Sequence, residues 1–305
     1  MKILVTGGSG FIGSHIVEHY QGQAEIVVLD NFRTGRRSNL GGLDCKLVEG
    51  SILDRELVDS LMQRVDVVFH LAALVSVPES VEKPAETVEI NVQGLLNVLE
   101  SARHANVKKL CFASSAAVYG EIAESPKVET MTPDPRSPYA ITKLDGEYYC
   151  DFYARQGWLD TACLRFFNVF GPRQDPGSAY AAAVPIFIQR ALDKKPVNIY
   201  GDGEQTRDFI YVKDIVGALI FLAHNTSLHG VFNAGYGSSQ TINTLAKNIL
   251  KQIEASSEII YSDPRPGDIR HSVASAKKLL DAGWKPRFKL EEAISETVRS
   301  MRVCP

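Results

Sequence analysis

A short strand-like run, Lys2-Ile-Leu-Val-Thr6, leads straight into Gly7-Gly-Ser-Gly10-Phe11-Ile12-Gly13, and a helical pattern over Phe11–Tyr20 follows. Few junctions constrain a fold this tightly. Gly7 permits the tight turn, Gly10 lets a pyrophosphate approach the backbone, and Gly13 allows close packing of helix on sheet. The helix N-terminus then faces the phosphates. The next strand ends on Asp30, twenty residues after Gly10. A carboxylate there accepts hydrogen bonds from both adenosine ribose hydroxyls and repels a 2′-phosphate. The expected dinucleotide is therefore NAD rather than NADP. Arg33, Arg36 and Arg37 follow closely and could tolerate that phosphate; they read as a solvated loop.

The first half alternates short β-branched runs with helical patterns. Lys2–Thr6, Glu25–Asp30, Cys45–Glu49, Asp66–His70 and Lys108–Ser114 read as buried parallel strands. Phe11–Tyr20, Asp54–Gln63 and Thr87–Ala105 read as helices. Ser137 and Pro138 suit the N-cap and first turn of a helix that continues to about Arg155, and Thr161–Phe167 is a further strand. This is the α/β pattern of a doubly wound parallel sheet, Rossmann-like. After residue 167 the rhythm loosens. Gly171–Tyr180 is rich in Gly and Pro, then come a helix near Val184–Asp193, strands at Val197–Tyr200 and Asp208–Val212, and helices near Thr241–Ile253 and Leu290–Met301. Residues 1–167 form the expected dinucleotide domain, and 168–305 a smaller C-terminal α/β substrate lobe, with Val231–Ala234 returning to the main sheet.

Composition narrows the function. The 305 residues are 45% apolar and carry a net charge of −3, so no basic field favours nucleic acid. Apolar runs fall short of a membrane span. A strand that begins at Lys2 leaves no room for a signal peptide, and the expected location is cytoplasmic. Five cysteines lack a Cys-x-x-Cys pair, and the histidines lack ligand spacing, so neither a disulfide framework nor a metal site is expected.

Tyr139-Ala-Ile-Thr-Lys143 carries chemistry. Four residues apart on a helix, the two side chains share a face about 6 Å apart along the axis. A lysine cation there is expected to depress the phenol and make phenolate available for proton transfer. The spacing alone is common by chance. Together with the glycine motif and Asp30, it makes the chain resemble the extended short-chain dehydrogenase/reductases, within the NAD-dependent epimerase/dehydratase family, over nearly its whole length. The resemblance places Asn31, Ser51 and Ile52 around the adenosine; an aspartate is common in the family where this chain has Ser51. It places His70-Leu71-Ala72-Ala73 under the pyrophosphate and nicotinamide ribose, and Asn91 and Phe167 near the cofactor. Asn91 reads equally well as a buried amide tying down backbone.

In Ser114-Ser115-Ala116-Ala117-Val118-Tyr119-Gly120, the resemblance implies that Ser115 hydrogen-bonds the reacting oxygen beside Tyr139, with Ser114 the near competitor. Similar dehydratases carry Thr-Asp-Glu here, and decarboxylases keep the glutamate. Ala116 and Ala117 can neither donate nor accept a proton, which removes elimination chemistry and leaves hydride removal and return, as in the 4-epimerases. Toward a UDP-sugar substrate, the resemblance implies Asn168 and Gln174, Tyr200 near the uracil, Arg207 and Arg265 on the diphosphate, and Asp268 on the uridine ribose. Guanidinium forks suit phosphate oxygens. Ser272 falls where hexose-restricted epimerases carry tyrosine, leaving space for an N-acetyl group, with Ala179–Ala183 available to line it.

The expected enzyme is thus a UDP-sugar 4-epimerase, an isomerase with recycled NAD, that accepts UDP-N-acetylglucosamine and UDP-N-acetylgalactosamine as well as, or in preference to, the plain hexoses. Alternatives are a UDP-glucuronate 4-epimerase, a nucleotide-sugar reductase showing net redox, and a non-catalytic NAD sensor. The family implies a homodimer, for which Leu95, Leu99, Tyr148 and Phe152 are candidate contacts, although the same residues also read as plain core.

Overall fold

The computed structural model describes residues 1–177, 182–264 and 270–303. Strands β1 (Lys2–Thr6), β2 (Glu25–Asp30), β3 (Lys46–Glu49), β4 (Val67–His70), β5 (Lys109–Ser115) and β6 (Thr161–Phe166) occupy the first half. Between them lie helices α1 (Phe11–His19), α2 (Arg55–Leu61), α3 (Val77–Glu82), α4 (Pro84–Val88), α5 (Gly94–His104) and α6 (Pro138–Arg155). Their starts follow local chemistry. Asp54 caps α2 by accepting the Leu57 N–H at 3.0 Å, and Ser137 caps α6 through the Ala140 N–H at 3.2 Å, with Pro138 in the first turn.

The second half begins with β7 (Asn168–Phe170), α7 (Ala183–Leu192), β8 (Val197–Tyr200), β9 (Thr206–Arg207), β10 (Phe209–Tyr211) and α8 (Val212–His224). It continues with β11 (Gly230–Ala234), β12 (Gln240–Thr241), α9 (Ile242–Ile253), β13 (Ile259–Ser262), β14 (His271–Ser272), α10 (Lys277–Asp281) and α11 (Leu290–Val303). No helix among the described residues is long and apolar enough to cross a membrane.

Seven strands form the main sheet in the order β11-β6-β5-β4-β1-β2-β3. The chain winds outward from β1 to β3, then crosses back to β4 and winds the other way. The reversal lies between β1 and β4, which pair in parallel with Thr6 beside His70. At such a switch point the carboxyl ends of strands leave a crevice. The core under the sheet joins Leu4, Leu29, Val68, Leu99, Phe112 and Cys150.

Contacts divide the chain into two compact units. One comprises residues 1–122, 129–166 and 216–233, and the other 123–128, 167–215 and 234–305. Among the described residues, the second unit packs α7, α9 and α11 together and carries three small sheets: β10-β7, β12-β9-β14 and β13-β8. Two buried carboxylates knot its loops. Asp208 accepts N–H bonds from Tyr236, Gly237 and Ala274 at 2.8, 3.0 and 3.1 Å. Asp214 accepts from the Arg287 N–H at 2.7 Å and the Tyr236 hydroxyl at 2.7 Å.

Three segments differ from the sequence expectation. The helix expected over Thr87–Ala105 is interrupted by a π-helical turn at Glu89–Gln93, which carries Asn91. Such turns are rare and recur at functional sites. Val212 opens helix α8 rather than ending a strand. The α8 segment KDIVGALIFLAH is apolar on nearly every face, so periodicity gave no helical signal. Leu95 and Leu99 are fully buried in the core, because their face of α5 packs on Phe112 and Cys150, so neither is a dimer contact.

Beneath the end of β5, Glu147 and Arg165 form an ion pair with both side chains 3% exposed. Arg165 donates through Nε and Nη2 at 2.8 and 2.6 Å, and Ser114 donates to the same carboxylate. Removing one partner of such a pair leaves a buried charge uncompensated. Glu147→Gln should lower unfolding free energy by about 3–5 kcal/mol in urea titrations, and Glu147→Leu with Arg165→Met should recover most of it.

Candidate functional site: a dinucleotide crevice and a catalytic helix

The glycine loop lies at the switch point. Gly7 adopts φ +71°, and a Cβ there would sit 2.8 Å from the Ala72 nitrogen. A Cβ on Gly13 would meet the Gly7 carbonyl oxygen at 2.3 Å, so side chains at these positions would push α1 off the sheet. Gly10 precedes α1 without a side-chain cap. The N–H groups of Phe11, Ile12 and Gly13 lack intrahelical acceptors by geometry and carry the positive end of the helix. Ser9 Oγ is buried with no hydrogen-bond partner in this loop.

Asp30 is buried at the end of β2. Its Oδ2 accepts the Ser9 N–H at 2.8 Å, and its Oδ1 the Phe32 N–H at 2.8 Å. A carboxylate has about four acceptor sites, so capacity remains for ribose hydroxyls. The arginines after it are not simply solvated. Arg33 pairs with Glu86 at 2.6 Å and Glu79 at 2.7 Å, and Arg37 pairs with Glu49. Anion-binding helix terminus, orphan serine hydroxyl and acceptor carboxylate fit a dinucleotide whose adenosine ribose carries free hydroxyls. Asn31 is exposed and accepts the Arg33 N–H at 3.2 Å. Ser51 turns its hydroxyl back to the Leu53 N–H at 3.1 Å, and Ile52 is buried against Gly94.

The loop after β4 is held from two sides. The Leu71 N–H donates to the Thr6 carbonyl at 3.1 Å. Leu74 is gripped by Asn91, whose Oδ1 accepts its N–H at 2.7 Å and whose Nδ2 donates to its carbonyl at 3.0 Å. The second Nδ2 hydrogen goes to Thr142 Oγ1 at 3.0 Å. Both amide hydrogens are thus spent on protein. Asn91 ties the loop ending at Ala72, Ala73 and Leu74 to helix α6, as the reading of a buried amide tying down backbone expects. His70 is fully buried, and desolvation lowers it to about 3, so it stays neutral.

Helix α6 presents Tyr139 and Lys143. The Tyr139 N–H donates to Ser80 Oγ at 3.2 Å, which anchors the helix start to α3. Lys143 is buried and donates to the Ala113 carbonyl at 2.8 Å. Its nitrogen lies 5.8 Å from the Tyr139 ring centroid and 4.9 Å from that of Phe112. Burial lowers Lys143 to about 8. Burial also raises the Tyr139 phenol, and a hydrogen bond with Ser115 offsets part of that rise. The depression expected from Lys143 is not seen, and burial sets the direction of the phenol's shift.

The two serines separate cleanly. Ser115 accepts the Ala117 N–H at 3.1 Å, which leaves its own proton free to face Tyr139. Ser114 is buried and donates to Glu147, so it belongs to the ion-pair network. Sequence reasoning missed Glu147, although it stands one turn beyond Lys143. It also missed Ser80 and Arg165, because Arg165 meets Ser114 only through the β5–β6 register.

In the second unit, Asn168, Tyr200 and Arg207 line one cavity of about 570 Å³, with Ala182, Ala183 and Arg190. Asn168 donates Nδ2 to the Asp208 carbonyl at 3.0 Å. Gln174 donates to the Val169 carbonyl at 3.1 Å, and its Oε1 is buried without a partner among the described residues. Ser272 stands opposite Arg207 in the β14–β9 ladder. Phe167 is buried, with its N–H 3.3 Å from the Ala234 carbonyl. Arg265, Asp268 and Ala179–Ala181 lie outside the described residues.

Fold and loop together define a dinucleotide-binding α/β protein in which Ser115, Tyr139 and Lys143 are grouped. The chain belongs to the NAD-dependent epimerase/dehydratase family, whose sequence profile matches residues 3–235, and NAD is its cofactor. It is 39% identical over 303 residues to a putative UDP-glucose 4-epimerase of Methanocaldococcus jannaschii, covering 98% of both chains. A structure of UDP-N-acetylglucosamine 4-epimerase from Methanobrevibacter ruminantium, in complex with UDP-N-acetylmuramic acid, superposes with TM-score 0.96 at 40% identity, over 99% of this chain and 98% of that one. The Thermus thermophilus UDP-glucose 4-epimerase in complex with NAD gives TM-score 0.92 at 39% identity over 100% of both chains.

Lys143 generates a pH prediction. Its folded value of about 8 lies below the unfolded reference of 10.5, so the unfolded chain binds more protons between them. Wild-type stability should therefore rise relative to Lys143→Met as pH climbs from about 8 to about 10.5. Urea unfolding of both proteins across this range would show it; a constant difference would contradict the buried ammonium.

Proposed function

We propose that the protein is a UDP-sugar 4-epimerase. The observation that carries this reading is the grouping of Ser115, Tyr139 and Lys143 on β5 and α6, with Ala116 and Ala117 beside them where elimination would need carboxyl groups. When bound, NAD supplies a hydride acceptor that is also the hydride donor of the return step. Tyr139, as phenolate, takes the proton of the sugar 4-hydroxyl and, as phenol, later returns it to the 4-keto oxygen. Ser115 donates a hydrogen bond to that oxygen while its own oxygen is fixed by the Ala117 N–H. Lys143, held by the Ala113 carbonyl, keeps a cation beside the phenol. Arg207, Asn168 and Tyr200 line a cavity of suitable size for a nucleotide diphosphate. Diphosphate binding by Arg207, with Arg265, retains the substrate while the pyranose turns, so remote binding energy supports orientation at C4.

The small residue at Ser272, beside Arg207, favours acceptance of N-acetylated sugars. Exposed Tyr148 and Phe152 on α6, at 60% and 47%, fit burial in a homodimer, and the location we infer is the cytoplasm.

Incubation with UDP-glucose and with UDP-N-acetylglucosamine, followed by chromatography of the C4 epimers, should show conversion of both without net NADH. Stoichiometric redox, or bound NAD with no turnover, would overturn the reading. Tyr139→Phe should lower kcat by about 10²–10⁴. Ser272→Tyr should depress turnover of the N-acetylated substrate selectively; equal loss on both sugars would remove its specificity role.

A further inference from the structure

The loop after Asp30 places basic side chains where adenosine is expected, yet the structure pairs two of them, Arg33 and Arg37, with carboxylates. Arg33 is fixed at its backbone, where its N–H meets Asn31 Oδ1 at 3.2 Å, and at its guanidinium, where Nη1 meets Glu86 at 2.6 Å and Nη2 meets Glu79 at 2.7 Å. The three side chains are about one-third exposed, at 30%, 28% and 38%. Both glutamates sit on α3 and α4, far along the chain from the glycine motif. Lys83 stands 3.6 Å from Glu79 and 3.8 Å from Glu86, so the carboxylates are matched by a second cation. The Arg33 bonds hold both carboxyl groups below the usual carboxylate range. Of the other two arginines in this loop, Arg37 pairs with Glu49 while its guanidinium lies 4.3 Å from the Phe32 ring centroid.

A 2′-phosphate would add a dianion beside Asp30 and would need a guanidinium to offset it. We propose that Glu79 and Glu86 are cofactor-selectivity residues, which occupy the Arg33 guanidinium and so withhold it from a 2′-phosphate. Asp30 repels the phosphate directly. The glutamates act one step further out, by making the nearby cation unavailable. Turning Arg33 toward a phosphate would break two charged hydrogen bonds at once and leave two carboxylates facing only Lys83. The inference depends on NAD being the cofactor and not on which sugar is turned over.

The test is a competition for the holoenzyme. Wild type, Glu79→Gln/Glu86→Gln, and the same double variant carrying Arg33→Gln are equilibrated with an equimolar mixture of NAD⁺ and NADP⁺. Bound nucleotides are released and quantified by chromatography. The double variant should raise the bound NADP⁺ to NAD⁺ ratio by about tenfold, equivalent to about 1.4 kcal/mol, and Arg33→Gln should return it to the wild-type value. An unchanged ratio in the double variant would overturn the proposal. So would a rise that persists without Arg33, which would assign the effect to lost negative charge alone. Loss of both nucleotides would also overturn it, because the carboxylates would then be supporting the site rather than its selectivity.

Discussion

The parallel register of β1, β4 and β5 is the constraint on which the rest of the first unit depends. Hydrogen bonding pairs Thr6 with His70 and His70 with Phe112, so the carboxyl ends of these strands finish at one edge. Chain reversal between β1 and β4 opens that edge, and the close approach of Gly13 to Gly7 lets α1 point its N-terminus into it. A slip of one residue in any of these strands would turn every side chain to the other face. It would carry Ser115 away from Tyr139 and Asp30 away from the Ser9 N–H.

The grouping of Ser115, Tyr139 and Lys143 is held by the polar groups around it. Asn91 spends its whole amide on Leu74 and Thr142, and Ser80 receives the first N–H of the catalytic helix. Glu147 binds Ser114 on β5 and Arg165 on β6 while sharing a helix with Lys143. Buried polar groups cost free energy unless paired, so each of these links is costly to break and restricts motion of the elements it joins. The π-helical turn at Asn91 fits this account, since it aims one amide at two segments together. The second unit uses the same device, with Asp208 and Asp214 pinning loops through backbone N–H groups.

Much of this was legible in the residues. The strand–glycine–helix junction, Asp30, the Ser137-Pro138 helix start and the Tyr139–Lys143 spacing are local signals, and local signals survive translation into structure. The α8 segment was not legible, because a helix apolar on nearly every face has no amphipathic period to detect. Leu95 and Leu99 were ambiguous between core and interface, since apolar character says nothing about which partner covers it.

Sequence alone determined the class of fold, the dinucleotide end and the pairing of Tyr139 with Lys143 on one helix face, because spacing along one strand or one helix turn specifies which side chains share a face. Tertiary structure alone decided between Ser114 and Ser115, assigned Asn91 to backbone support, and set Arg33 against Glu79 and Glu86. It also showed that burial, rather than the neighbouring ammonium, dominates the Tyr139 phenol. These outcomes depend on desolvation and on partners brought together across tens of residues, and neither quantity is a property of a local stretch of chain.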